Sequence, residues 1–144
     1  MATERRAQVT WQGDLMSGSG RIETVTSDVL DDLEVSWPAR SAEPGGKTSP
    51  EELIAAAHAT CLSMALSHGL AQEGHAPERL ETSATVTFQP GEGITKIALA
   101  VEGRVPGMSE DDFRKAAEDA KENCPVSKAL TGVPEITLDA KLAG

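Results

Sequence analysis

The feature that most constrains the fold is a long apolar segment that follows a strong helix-initiation signal. Ser49 is a favourable N-cap, Pro50 fits the first helical position, and Glu52 can close a capping box. From residue 53 to residue 72 the chain contains no Asp, Glu, Lys or Arg. A helix with this pattern has no broad polar face, so we expect it to be buried on most of its sides.

This helix is long for a chain of 144 residues. At about 1.5 Å per residue it spans roughly 35 Å, and one domain of this size can hardly enclose it. Part of its surface should therefore meet a second copy of the chain, which predicts a homodimer.

Segments with strand-like alternation lie on both sides of the helix. Three short strands and a loop precede it: Gln8–Trp11, Arg21–Thr26, Leu33–Trp37 and the loop Pro38–Lys47. Two alternating strands, an amphipathic helix, a short helical turn and a last strand follow it, near Leu80, Ile97, Ser109, Pro125 and Ile136. This order predicts an α+β fold with antiparallel sheets packed around central helices, in a single domain over residues 1–144.

Net charge and hydropathy bear on the partners and the cellular location of the protein. The formal net charge is −10 at pH 7, whereas nucleic acids and anionic membranes require clustered Lys and Arg, so we expect neither as a partner. The N-terminal residues lack the apolar segment of a signal peptide, and no stretch approaches about 18 consecutive apolar residues. We therefore expect a cytoplasmic protein, where reducing conditions disfavour a permanent disulfide.

The two cysteines of the chain carry the candidate chemistry. Pro125 at a first helical position would place Cys124 at an N-cap, where the helix dipole and free N–H groups favour a thiolate. The alternative is that this Cys-Pro pair merely starts a helix. Cys61, within the long apolar helix, would by itself be a core residue.

His58 lies one helical turn before Cys61 and could act as its base, although a histidine on an Ala-rich face is more often a satisfied core group. The two residues could also offer a metal a His-x-x-Cys pair. Zinc would need two further ligands, and Cys124 with His68 or His75 makes no recognised spacing. A metal site is therefore disfavoured.

Arg40 and Glu51 complete the candidate set. Arg40 would ordinarily be a surface charge, but it precedes a helix that contains a thiol, and a fixed cation can lower the pKa of a thiol. Glu51 and Cys61 are ten residues apart, about 15 Å along a straight helix, so they cannot touch within it. A site that uses both requires a broken helix or a carboxylate from a second subunit, and the second option agrees with the expected dimer.

Two long motifs resemble those of the osmotically inducible protein C family: the segment from Ser49 to Leu66, and Cys124-Pro125-Val126-Ser127-Lys128. Shorter matches at residues 11–14, 94–97 and 136–139 extend the resemblance over nearly the whole chain. It implies an intertwined homodimer with sites at the subunit interface and no organic or metal cofactor. It also implies a thiol-dependent peroxidase that reduces organic hydroperoxides and hydrogen peroxide in oxidative or osmotic stress defence, as the organic hydroperoxide resistance proteins do.

The same resemblance implies a role for each site residue. Cys61 would be the peroxidatic cysteine, which attacks the peroxide and becomes a sulfenic acid. Cys124 would be the resolving cysteine, which forms a disulfide that a dithiol reductant opens. Arg40 would stabilise the thiolate and orient the peroxide, and Glu51 would hold the arginine, although the segment between these two is longer than the family pattern.

Two functions of other classes stay open. The same thiols could form a non-catalytic redox sensor, or the scaffold could be a small-molecule binding module. Both cysteines occur together with Arg40 and Glu51, which favours turnover over binding alone.

Overall fold

The computed structural model describes residues 2–143, and the chain forms two compact units: a first unit that ends at Leu53 and a second unit that begins at Ile54. The expected α+β class is confirmed. The elements in chain order are β1 (Ala7–Gln12), β2 (Ser19–Val25), β3 (Leu33–Val35), α1 (Trp37–Ser41), α2 (Pro50–Gln72), β4 (Arg79–Gln89), β5 (Gly93–Arg104), α3 (Glu110–Asn123), α4 (Pro125–Ala129) and β6 (Glu135–Leu142).

The first unit contains an antiparallel sheet of strand order β1-β2-β3 and the short helix α1. Ser36 is the N-cap of α1, and its hydroxyl accepts a hydrogen bond from the Ala39 amide at 3.2 Å. The predicted strand Leu33–Trp37 therefore ends at Val35, and the predicted loop Pro38–Lys47 was wrong for residues 38–41, which belong to this helix. Pro38 fits the first turn of a helix because its missing N–H would have no helical partner there.

Helix α2 starts as expected but closes its N-terminus differently. The Ser49 hydroxyl accepts a hydrogen bond from the Glu52 amide at 3.1 Å, which is one half of a capping box. The Glu52 carboxylate instead accepts a hydrogen bond from the Thr48 hydroxyl at 2.8 Å. The helix continues unbroken to Gln72, and Gly74 then adopts a left-handed φ of 85°, a common helix stop.

The second unit contains a sheet of order β4-β5-β6, and one pairing departs from the expected antiparallel arrangement. Strands β4 and β5 are antiparallel, whereas β5 and β6 are parallel. Parallel neighbours need a crossover connection, which α3 and α4 provide here. The alternating pattern of β6 predicts a strand but does not indicate its direction.

The core of the second unit lies between this sheet and the helices. Leu62, Leu66 and Leu70 recur every four residues along α2 and are fully buried. Phe113 of α3 is also fully buried and packs closely over Gly103, where an added Cβ would lie 2.6 Å from the phenyl ring. Only glycine allows the ring to approach the strand this closely.

A single chain buries only one stripe of α2. Met64, for example, is 68% exposed, so the expected burial on most sides is not reached within one chain. By length and composition α2 could also cross a membrane, a test that core helices of soluble proteins pass as well. The sequence-based exclusion of any such segment was therefore too strict.

Candidate active site

The two thiols meet in the second unit. Cys61 lies on α2 and is partly buried, whereas Cys124 lies at the start of α4 and is fully buried. Both cysteines are free, and their thiols interact by a side-chain hydrogen bond. A partly exposed cysteine therefore lies beside a fully buried one.

The backbone places Cys124 at a junction of two helices. It is the C-cap of α3 and the N-cap of α4, with the extended angles φ −63° and ψ 121°. Pro125 follows as the first residue of α4, and the residue before a proline is biased towards extended backbone. The expected N-cap position of Cys124 is confirmed.

The surroundings of Cys124 favour its ionised form. Burial by itself raises the pKa of this thiol, but hydrogen bonds from the Cys61 thiol, the Ser127 amide and hydroxyl, and the Val126 amide outweigh burial and lower the pKa. Donors that point at a thiolate stabilise it relative to the neutral thiol.

The surroundings of Cys61 act in the opposite direction. Burial, followed by the hydrogen bond to Cys124, raises the pKa of Cys61, and the Val126 amide opposes this rise only in part. Within the reduced pair, the proton is therefore held on Cys61 and the negative charge on Cys124. A Cys61 thiolate needs a further cation or donor.

His58 does not serve Cys61 as a base in this structure. It is fully buried, and its Nε2 lies 2.7 Å from the Ser127 hydroxyl oxygen. Burial lowers the pKa of the imidazole, so it is neutral at pH 7. Its Nδ1 is buried without a hydrogen-bond partner among the described residues.

Arg40 and Glu51 form a second pair, in the first unit. The Arg40 Nε donates to both carboxylate oxygens of Glu51 at 3.1 and 3.0 Å, and Nη2 donates to Oε2 at 2.9 Å. The Glu51 side chain is 9% exposed and that of Arg40 is 32% exposed. Paired hydrogen bonds of this kind fix the plane of the guanidinium group as well as its position.

Arg40 also borders an apolar cavity of about 320 Å³ in the first unit. The other lining residues are mostly hydrophobic: Val9, Trp11, Leu15, Ile22, Val35, Ser36, Trp37, Pro50 and Leu53. The cavity thus combines a guanidinium group with walls that suit an alkyl or aryl group.

The four residues singled out from the sequence therefore form two pairs, Cys61 with Cys124 and Arg40 with Glu51. Ser127 was missed as a functional candidate, although its spacing from Cys124 on a helix that starts with Pro125 places it one turn away. Among residues 2–143, no group of three or more His, Cys, Asp or Glu side chains could hold a metal ion.

Comparison with known proteins identifies the family. A family model described as OsmC-like protein matches residues 43–139. The peroxiredoxin OsmC of Escherichia coli (strain K12) is 41% identical over 145 residues and covers 99% of each chain. An organic hydroperoxide resistance protein of Xanthomonas axonopodis pv. citri (strain 306) is 31% identical over 129 residues, which is 85% of this chain and 87% of the relative.

Comparison of the fold with solved structures agrees with this family match. The crystal structure of an OsmC-like protein from Mycoplasma pneumoniae aligns over 100% of both chains with a TM-score of 0.72 and 16% identity, which shows the same fold. The fold and the relatives define a class of peroxidases. Within that class, this chain belongs to the OsmC-like family.

Proposed function

We propose that this protein is a thiol-dependent peroxidase that reduces organic hydroperoxides and hydrogen peroxide through Cys61 and Cys124. The main support is the contact between two free thiols, one partly exposed and one fully buried. A peroxide can reach only the first, and only the second is close enough to trap the oxidised product. This difference in access supports a peroxidatic role for Cys61 and a resolving role for Cys124.

The cycle has three balanced steps. The Cys61 thiolate attacks the distal oxygen of ROOH, the O–O bond breaks, and the departing alkoxide takes a proton to give ROH and a Cys61 sulfenic acid. Cys124 then gives up its proton and attacks the sulfenic sulfur, the S–S bond forms as the S–O bond breaks, and the hydroxyl group leaves as water with that proton. A dithiol reductant opens this disulfide by exchange and becomes a disulfide itself.

Arg40 is proposed to stabilise the Cys61 thiolate and to orient the peroxide, with Glu51 as its support. Cys61 needs such a cation because its own surroundings raise its pKa. A site that uses both Glu51 and Cys61 requires either a break in α2 or a carboxylate from a second subunit. Helix α2 is unbroken, so the first option does not apply. We therefore propose that the charged pair comes from the second subunit of a homodimer.

The dimer interface is proposed to cover the exposed surface of α2, where Met64 and other apolar residues face solvent in a single chain. The same proposal includes a cytoplasmic location, a single domain formed by both units, and neither nucleic acid nor membrane as a partner. The net charge of −10 supports the last point.

Organic hydroperoxides are the preferred class of substrate in this proposal. The apolar walls of the cavity beside Arg40 suit the organic group of a hydroperoxide. Hydrogen peroxide has no group to fill that space and gains nothing from it.

The test is peroxide consumption by the purified protein with cumene hydroperoxide and dithiothreitol. We expect multiple turnovers by the wild type, none by Cys61→Ser, and at most one by Cys124→Ser, followed by over-oxidation of Cys61. Ser63→Ala is the matched control on α2, because its hydroxyl bonds to the Ala59 carbonyl and the Thr82 hydroxyl and not to a thiol. Sustained turnover by Cys61→Ser would eliminate this mechanism. A wild type that consumes no peroxide with any dithiol would favour the redox sensor or the binding module.

A further inference from the structure

One buried polar pair has no part in the cycle described above. His58 is fully buried, Ser127 is 8% exposed, and the Nε2 and Oγ atoms are 2.7 Å apart. The two residues are 69 positions apart in the chain, so this contact joins α2 to α4. Buried polar groups are costly unless they are paired, and a pair beside two thiols calls for an explanation.

The hydrogen positions of the pair follow from its partners. His58 is neutral, so one ring nitrogen carries a hydrogen and the other carries a lone pair. If Nδ1 carried the hydrogen, a buried N–H would have no acceptor among the described residues, and orphaned buried N–H groups are rare. We therefore assign the hydrogen to Nε2, which donates to the Ser127 oxygen.

This assignment sets the direction of the serine hydroxyl. The Ser127 oxygen accepts from His58, so its own hydrogen is available to a different acceptor. The neighbouring acceptor is the Cys124 sulfur, because buried Cys124 is the N-cap of α4 and buried Ser127 lies one helical turn later in the same helix. The other groups that act on this sulfur are the Cys61 thiol from α2 and the amides of Val126 and Ser127 from α4.

We propose that His58 and Ser127 are positioning residues that direct a buried hydroxyl hydrogen at the Cys124 sulfur and so keep the resolving cysteine ready to attack. The inference rests on the proposed peroxidase cycle and concerns its second step. Thiolate attack forms the S–S bond, breaks the S–O bond of the Cys61 sulfenic acid and releases hydroxide, which leaves as water after taking up the proton that Cys124 lost to solvent on ionising. His58 neither gains nor loses a proton in this step.

The first measurement does not depend on peroxidase activity. In Cys61→Ser protein, Cys124 is the sole thiol, and its ionisation is followed by the ultraviolet absorbance of the thiolate. We expect Ser127→Ala to move the midpoint of this titration to higher pH, His58→Leu to move it in the same direction, and Ser127→Thr to restore it. Ser63→Ala, which removes a hydroxyl of equal size from the same unit, should leave it unchanged.

The second measurement follows the fate of Cys61 after one equivalent of peroxide, in protein with both cysteines. Cys124 should be less ionised in Ser127→Ala, so we expect disulfide formation in this variant to be slower by about threefold or more. The lower fraction of Cys124 thiolate outweighs the higher nucleophilicity of each thiolate. Mass spectrometry should then find more Cys61 sulfinic acid than in the wild type.

The two proposals fail in different ways. An unchanged thiolate midpoint in both Ser127→Ala and His58→Leu would overturn this inference even if the wild type is an active peroxidase. A shifted midpoint of the Cys124 titration together with a wild-type rate of disulfide formation would also overturn this inference. A wild type without peroxidase activity would overturn the proposed function and, with it, the catalytic meaning of the pair, whereas the moved midpoint would still establish the hydrogen bond.

Discussion

The two compact units hold their reactive groups in different ways. In the second unit, Cys61, Cys124 and His58 lie beside a core whose largest side chains are fully buried. In the first unit every residue of β1 is exposed, and the Arg40 guanidinium is held by three hydrogen bonds to one carboxylate. Close packing encloses the thiols of the second unit, whereas directional hydrogen bonds hold the arginine of the first unit.

The largest expected effect tests the role of packing in the second unit. Leu66→Ala removes a fully buried side chain of α2, and we expect a loss of about 2–5 kcal/mol in the free energy of unfolding. Val9→Ala in the first unit, where the side chain is 55% exposed, is the matched control and should change stability by less than about 0.5 kcal/mol. Equal losses in urea denaturation would contradict the difference between the units.

The next effect concerns the ion pair of the first unit. Arg40→Ala should lower the rate of Cys61 oxidation about 100-fold, as removal of a preorganised charge donor commonly does. Arg40→Lys should recover little of this rate, because an ammonium group cannot make the paired hydrogen bonds that the guanidinium makes to a carboxylate. Stopped-flow kinetics with cumene hydroperoxide would measure both rates.

Arg21→Ala is the control for that experiment, since it removes an arginine whose ion pair with Glu34 is exposed. Its oxidation rate should match the wild type, because exposed ion pairs contribute little. A rate for Arg40→Ala within twofold of the wild type would remove Arg40 from the site.

A smaller effect is expected at the contact between Gly103 and Phe113 in the second unit. Gly103→Ala would place a Cβ 2.6 Å from the Phe113 ring, and overpacking of this kind costs about 1–3 kcal/mol. Gly132→Ala, where an added Cβ meets nothing within 4 Å, is the control. If both variants had the same melting temperature, the close approach of Phe113 would not constrain the sheet.

The smallest effect is the pH dependence of stability. Burial lowers the pKa of His58 below its ordinary value of 6.5, so the unfolded chain binds this proton more tightly than the folded chain does. Stability from the neutral imidazole is therefore present above pH 6.5 and is lost as the pH falls below it. His58→Gln should flatten this part of the curve of unfolding free energy against pH. An unchanged slope in His58→Gln would contradict the neutral buried state.

Local signals predicted much of this fold, because their causes are local. The Ser49-Pro50 start of α2, the Ser109 cap of α3 and the alternation of β4 and β5 agree with the structure. The Ser36-Trp37-Pro38 segment carried a helix-start signal too, but the apolar residues before it indicated a longer strand.

What could not be predicted depends on distant contacts. The parallel direction of β6 follows from how α3 and α4 return the chain to the sheet, and strand alternation is the same in either direction. The partner of His58 lies 69 residues away, so its neighbour Cys61 was the natural candidate from sequence. Among the site residues, the cysteines were evident from type and motif, whereas Ser127 acquires a role only when α4 is placed against α2.

The contact between His58 and Ser127 also has a mechanical consequence. A disulfide would hold the two sulfur atoms together for only part of each cycle, and reduction would release them. The imidazole–hydroxyl bond involves neither sulfur, so it can stay closed through every redox state. In the proposed cycle this contact would keep α4, and with it the resolving sulfur, beside α2 while the disulfide forms and opens.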